Sequence, residues 1–406
     1  MNAQAAARQL ARDIVLAVLG GLLAFVVAIA LWLPALHLFY RPDLAEWRAA
    51  EGPLPPKAEE LARFQLSLWS DDAKRAAEIE RMRTSNAEWD FMGRTYLVLA
   101  LAEMSLRDPA AADEYLGVID TIIDETLRLE DENGHLYFLM NYARGGEWAN
   151  PGKRSLFVDG EIALMLGARR LVEEKPEYRD LMAERLPRIE AQMKAGPVLS
   201  GESYPNECWM FCNAVALAAL KAGDTLDGTD HAEFFGDWIA MAKKDLVHPG
   251  TGLLVSSYTW EGDALDGPEG TSIFMAAHCL SAIDAEFARD QYERARGELR
   301  GSVLGFGVAR EWPASWEGPR DVDSGPVVPV IEASPGASGL AILGAASFGD
   351  DEWLGELIAS LNFAAFPEEK DGTLRYHASN QVGDAVILYA MAHGPLWAKL
   401  RGEDAP

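Results

Sequence analysis

Three cysteines in 406 residues, Cys208, Cys212 and Cys279, are too few and odd in number for a disulfide framework. The seven histidines supply no second Cys/His pair at zinc-ligand spacing, so no structural metal is expected. Basic charge is also short. With 36 Lys and Arg against 63 Asp and Glu, the formal net charge is −27. Such a surface repels phosphate backbones and argues against nucleic acid as a partner. Strand-like alternation is confined to a few short runs. Apolar residues are abundant at 49%, enough for a large core and against global disorder.

The longest apolar run lies at the N-terminus. From Ile14 to Tyr40 there is no Asp, Glu, Lys or Arg. About 20 such residues span a bilayer as a helix, whereas a secretory signal has an apolar core of only roughly 7–15. No small-x-small cleavage pattern follows "WLPALHLFY". The expected organisation is a tail over 1–13, a single-pass signal anchor over 14–40 and a Pro-rich connector over 41–58. A helical domain over 59–400 and a C-terminal tail over 401–406 complete it. Arg8 and Arg12 before the anchor nearly balance Arg41 and Arg48 after it. The leading pair, with no earlier helix, favours the domain on the extracytoplasmic side.

Six segments are apolar on nearly all sides and rich in Ala, Gly and Ser. They begin near Trp89, Ser155, Glu207, Thr271, Ser334 and Val382. A helix apolar all round is a buried helix. Between them lie amphipathic, charged segments such as "DEYLGVIDTIIDETLRLE". Six alternations of buried and half-wet helix predict an all-α (α/α)6 barrel, an inner ring wrapped by an outer one. Three similar loops, "ENGHLYFL", "GTGLLVSSY" and "KDGTLRYH", centre on Gly134, Gly252 and Gly372. Their separations of 118 and 120 residues place them at equivalent points of the rim, every second helix pair.

Polar groups near the starts of the buried helices must face a cavity or be paired. They include Asp90 and Arg94 on the first, Asp159 and Glu161 on the second, Ser272 and His278 on the fourth. Asp323, Glu332 and Ser338 fall on or before the fifth, and Asn380 and Asp384 on the sixth. The densest cluster is "GESYPNECWMFCN", Gly201 to Asn213, with Glu202, Glu207, Cys208, Cys212 and Asn213. Glu207 and Cys208 read as the first turn of the third helix, with Pro205 and Asn206 as its entry. Cys208 and Cys212 then lie one turn apart, near a helix N-terminus that can lower a thiol pKa. Each thiol alone reads first as a small buried hydrophobe. Glu161 and Asp159 fall in an apolar helix, where a buried carboxyl with a raised pKa is a usual general acid. The blander alternative has Asp159 capping that helix and Glu161 solvated. His278, on an apolar helix, reads as a core histidine or a site residue, and Tyr376 and His377 as lining of the mouth.

With these residues laid out, the chain resembles the linalool dehydratase-isomerase family from about Trp89 to His393. The likeness runs through "CNAVAL", "WIAMAKKDLVHPGTGLLVSSY", "DAEFARDQYERAR" and "LRYH" before an Asp-containing apolar helix. The resemblance implies an (α/α)6 barrel that works without metal or organic cofactor on an allylic terpene alcohol. It also implies assembly into homo-oligomeric rings with sites near subunit contacts. The family's inner cysteine falls on Cys212, followed by Asn213 as in the family. Its outer cysteine falls on Ser203, and its catalytic histidine on Glu161. Cys208 stands where the characterised enzyme has an aromatic residue, and Tyr96 takes the place of a family tyrosine from the first hairpin.

Two enzyme classes and one non-catalytic role follow. The first is a lyase or isomerase that dehydrates an alkenol or terpenoid in a pocket closed to bulk water. Glu161 would be the acid, with Cys212 and Glu207 as candidates for the base or for stabilising positive charge. Ser203, Asp159 and Tyr96 complete the candidate catalytic set. Phe157, Trp209, Phe211 and Phe274 would supply apolar walls. Cys208, Asn213, Tyr258, His278 and Tyr376 complete the set expected to line the substrate pocket. A small lipophilic substrate would suit a protein tethered to a bilayer. The second class is a carbohydrate-active enzyme, for which twelve tryptophans and paired carboxylates are the argument. The third reading is a lipid-binding scaffold without acid-base chemistry. Fold analogy does not choose among them.

Overall fold

The computed structural model describes residues 3–49, 52–320 and 325–403. In chain order the helices are α1 Ala3–Tyr40, α2 Leu44–Trp47, α3 Pro56–Trp69, α4 Asp72–Ser85, α5 Ala87–Arg107, α6 Ala112–Asn133, α7 Leu156–Val172 and α8 Pro176–Ala195. They continue with α9 Met210–Asp227, α10 Ala232–Met241, α11 Gly270–Leu280, α12 Ala285–Leu299, α13 Pro335–Phe348, α14 Asp351–Ala364, α15 Gln381–Ala392 and α16 Pro395–Arg401. Among the described residues seven short strands decorate the loops: β1 Cys208–Trp209, β2 Ser257–Tyr258, β3 Ala264–Asp266, β4 Arg300–Val303, β5 Phe306–Ala309, β6 Pro367–Lys370 and β7 Thr373–Tyr376. They form one three-stranded sheet, β1-β2-β3, and two hairpins, β4-β5 and β6-β7.

The ring closes. α5 packs on α7, α7 on α9, α9 on α11, α11 on α13, α13 on α15, and α15 returns to α5. α6, α8, α12 and α14 pack outside the inner helices they follow, and α3 covers α15. The sequence-predicted (α/α)6 barrel is therefore the fold. Small residues set the wall spacing. A Cβ at Gly93 on α5 would meet the Val382 backbone of α15 at 3.4 Å, and one at Gly160 on α7 the Ala216 backbone of α9 at 3.3 Å. Larger side chains there would force the ring open. Between the rings, Trp238 and Trp353 are wholly buried, and such large side chains supply most of the hydrophobic stabilisation.

Because chain direction alternates between inner and outer helices, the inner helices all start on one face. Gly134, Gly252 and Gly372 each follow an outer helix at that face. All three have φ near +70°, a conformation that favours glycine. The far end is crossed by α16, which packs against α5, α7 and α9.

α1 stands apart. It is long and apolar enough to cross a membrane, with a mean hydropathy of 3.0 in a window that nothing covers. Among the described residues its last turns touch the barrel, His37 edge-on to Phe306 at 5.1 Å and Tyr40 to Phe363 at 5.3 Å.

Candidate active site

The site is built on a strap, residues 200–209, folded across the start of α9. Asn213 pins it: its side chain accepts from the Gly201 N–H at 2.9 Å and donates to the carbonyls of Gly201 (3.1 Å) and Trp209 (2.9 Å). Glu202 is consumed inside the strap. Its carboxylate accepts from the backbone N–H groups of Ala149, Asn150 and Asn206 and from the Asn150 amide. The Ser155 hydroxyl donates to the Ser203 carbonyl at 2.7 Å and so ties the strap to the start of α7. Tyr258 lies opposite Cys208 in the β1–β2 pair and donates to the Ser200 hydroxyl at 2.9 Å.

The helix therefore starts later than its sequence suggests. Glu207 and Cys208 are not its first turn. α9 begins at Met210, Cys208 is in β1, and Asn206 takes a positive φ of 59° in the turn before it. The two thiols do not share a helix face. Cys212 lies in the first turn of α9, buried, with the Ser203 hydroxyl beside its sulfur. The strap thus brings Ser203 and Cys212 together, the positions onto which the family's two cysteines fall.

Around Cys212 the barrel axis carries a ring of neutral polar groups, drawn from four successive inner helices: Tyr96 on α5, Glu161 on α7, Cys212 on α9 and Cys279 on α11. Glu161 is 1% exposed, and its Oε2 and the Tyr96 hydroxyl have no hydrogen-bond partner among the described residues. Burial drives the Glu161 carboxyl up to about 8, with the Thr95 hydroxyl beside it pulling the other way. At neutral pH it is mostly the acid. Burial first, and the Glu161 charge second, push Tyr96 and Cys279 well above their ordinary values. Burial also holds Cys212 high, against the Ser203 hydroxyl that pulls it down, and the charges of Glu161 and Glu88 add to the rise. The backbone N–H of Cys212, in the first turn of α9, also pulls the thiol down, in the direction the sequence led us to expect. Burial wins, and both axial sulfurs remain thiols.

Asp159, two residues from Glu161, points the other way. It neither caps α7 nor reaches the axis. It is wholly buried against Arg154 (2.7 Å), Arg185 (2.5 Å) and Gln192 (3.0 Å), with Arg188 at 3.6 Å. Asp159 is thus a member of an ion cluster between α7 and α8, turned away from the axis. Asp90 and Arg94 likewise pair with each other at 2.9 Å, and Arg94 with Glu125 at 3.0 Å.

Glu207 sits at the rim, where it accepts from Tyr142 (3.1 Å) and Trp209 Nε1 (3.4 Å). Tyr142 stacks on Tyr204 at 4.6 Å, and the Tyr204 hydroxyl donates to Glu88. Phe157 is buried edge-on to Phe91 at 5.2 Å and forms apolar wall. Phe274 faces outward instead, against Trp353 and Tyr292, and does not line the axis. His278 belongs to the far end. Its ring lies between Ser347 and Tyr389, each at 2.8 Å, and stacks on Trp397 at 4.2 Å, so it is a satisfied core histidine. Tyr376 lies in the β6–β7 hairpin beside Trp47 and Asp384, outside the inner ring. Glu332 pairs with Arg310 and Arg320, and Asp323 lies outside the described residues.

Sequence reasoning missed Cys279, Thr95 and Glu88. The signal for Cys279 is that it is a thiol on an inner helix apolar on nearly all sides, next to His278. Among the described residues no group of three His, Cys, Asp or Glu comes together as metal ligands do.

Residues 182–382 match the family model described as linalool dehydratase/isomerase, from α8 to the start of α15. Ser203, Cys212 and Cys279 fall inside that stretch, whereas Tyr96 and Glu161 precede it. Among solved structures, the unsaturated glucuronyl hydrolase of Bacillus sp. GL1 is 13% identical. It covers 75% of this chain and 86% of its own at a TM-score of 0.50. The GH76A alpha-1,6-mannanase of Salegentibacter sp. HEL1_6 is also 13% identical, covering 76% and 89% at 0.46. At such identity the first speaks for the barrel alone.

Proposed function

We propose, for a barrel whose residues 182–382 fall in the linalool dehydratase/isomerase family, a cofactor-independent hydro-lyase and isomerase acting on an alkenol or terpenoid. The observation that carries this reading is Glu161: a buried carboxyl with an oxygen that has no hydrogen-bond partner among the described residues, pushed up to about 8 by burial, with Tyr96, Cys212 and Cys279 within reach of its charge.

In this reading the Glu161 acid donates its proton to the substrate hydroxyl as the C–O bond breaks, releasing water and leaving an allylic cation. The carboxylate so formed takes a proton from the adjacent carbon, and the C–H electron pair becomes the new double bond. Alcohol gives diene plus water, and Glu161 ends protonated. Return of water at the other allylic carbon interconverts primary and tertiary alcohols. Tyr96, Cys212 and Cys279, all neutral, orient the hydroxyl and flank the cation without quenching it. Ser203 positions the Cys212 thiol. Glu207, bonded at the rim, is no longer a candidate base. Phe157 and its neighbours exclude water, which keeps the acid's pKa high. An N-terminal helix in the bilayer would hold the barrel where lipophilic substrate dissolves.

A turnover screen on the detergent-solubilised protein tests this, offering short allylic alcohols and their dienes with headspace gas chromatography. Alkene formed by wild type and lost in Glu161→Gln supports it. No interconversion in either direction by folded protein ends the dehydratase reading. One observation favours a carbohydrate-active alternative, the exposed Tyr142 stacked on Tyr204 between Glu88 and Glu207. Under it, oligosaccharides would raise the melting temperature and Tyr142→Ala would abolish that rise.

A further inference from the structure

Away from the axis, a cavity of about 270 Å³ opens between α3, α4, the β6–β7 hairpin and the start of α15. Its lining carries an unusual set of atoms. Asp384 Oδ1, Gln381 Oε1 and the Tyr376 hydroxyl are all buried, and none has a hydrogen-bond partner among the described residues. The three residues are 3%, 4% and 1% exposed. Buried polar atoms are paired as a rule, so three orphans facing one cavity indicate that something else supplies the partners.

Two of the three are acceptors, so the floor asks for N–H or O–H donors. The helix end offers little to an anion, because the Asn380 side chain already accepts from the Gly383 N–H at 2.9 Å. The lip is different. Arg375 is exposed, lies over the Phe64 ring at 5.3 Å, and has no carboxylate partner among the described residues. Arg81, also on the lip, is already engaged by Glu78. The cavity therefore offers buried acceptors that call for donors and, in Arg375, a planar cation whose charge also reaches Asp384 and which is suited to a carboxylate.

We propose that this cavity is a second ligand site, separate from the axial centre, for a small zwitterion. The ligand's ammonium lies on Asp384 and Gln381 at the floor, and its carboxylate on Arg375 at the lip. Burial raises the empty Asp384 carboxyl to about 7, where it is poised to ionise when an ammonium arrives. The volume accommodates an amino acid.

The test uses the full chain in detergent. Each of the twenty common L-amino acids is screened by thermal shift, and any that bind are titrated calorimetrically. At least one raises the melting temperature of wild type. Its dissociation constant rises at least tenfold in Asp384→Asn and, separately, in Arg375→Ala, whose exposed side chain keeps folding out of the question. It is unchanged in Glu161→Gln, which separates this site from the axis, and the N-trimethylated form of the same amino acid does not bind. No shift from any amino acid overturns the proposal. So does binding that survives both cavity variants, or a shift produced by glycerol and xylitol alone.

Discussion

The two faces of helix α7 hold carboxylates two residues apart and treat them oppositely. Asp159 faces outward into three guanidinium groups and a glutamine amide, and its charge is matched. Glu161 faces the axis, meets no cation, and keeps its proton to about 8. Both are buried, and what differs is the partner: Asp159 is ion-paired, whereas Glu161 has no cation beside it among the described residues. The outer face is where the barrel is held together, and the axial face is where desolvation is tolerated, as expected where a buried group serves chemistry.

The largest effect that would break this contrast is at Glu161. Glu161→Gln should lower turnover by roughly 10²–10⁴-fold, the range for a lost general acid, while the far-ultraviolet spectrum stays that of wild type. Retention of more than a tenth of the activity would remove Glu161 from the chemistry.

The same residue predicts a pH slope. An acid whose folded pKa is raised is favoured by the fold while protonated. Its contribution is intact below the unfolded value near 4.5 and is lost as pH climbs toward about 8. Stability should fall across that window by up to roughly 5 kcal/mol from this group, and Glu161→Gln should flatten the loss. Turnover should decline above about pH 8 as the acid ionises. A melting temperature equally pH-dependent in wild type and variant would contradict the raised pKa.

Asp159→Asn should act the other way round. It leaves Arg185 and Arg154 sharing Glu130 alone, at a cost of about 3 kcal/mol. The melting temperature should drop, and turnover per folded molecule should hold. A variant that melts like wild type but has lost activity would move Asp159 into the site.

How much of this was legible beforehand depends on the scale of the pattern. The barrel was visible because a helix apolar on all sides must be buried, and six of them recur through the chain. Gly134, Gly252 and Gly372 were legible because a turn needing positive φ selects glycine. The direction of side chains was not. Asp159 and Glu161 differ by about 200° around a helix, and nothing local says which faces the axis. The misplaced start of α9 has a specific cause. "SYPNEC" reads as a helix entry, but the Asn206 turn and the pairing of Cys208 with Tyr258 hold those residues extended, a tertiary constraint. His278 points to Ser347, Tyr389 and Trp397, whereas its neighbour Cys279 is the one near Glu161, and nothing local tells the two directions apart.

The smallest expected effect concerns the thiols, which repeat the contrast of the two acids. Cys208 and Cys212 are four residues apart and both buried. Cys208 is locked in the strap opposite Tyr258, whereas Cys212 stands on the axis beside Ser203. Cys208→Ala should therefore cost about 1 kcal/mol of stability through lost packing and leave turnover within twofold of wild type. Cys212→Ala, measured alongside, should lose at least tenfold in turnover with a similar change in melting temperature. If the two variants were equally active, the strap and the axis would not differ in the way the acids imply, and the thiols would serve only as packing. If Cys208→Ala alone were impaired, the strap would reach the substrate, and the reacting centre would lie nearer the rim, toward Glu88 and Glu207.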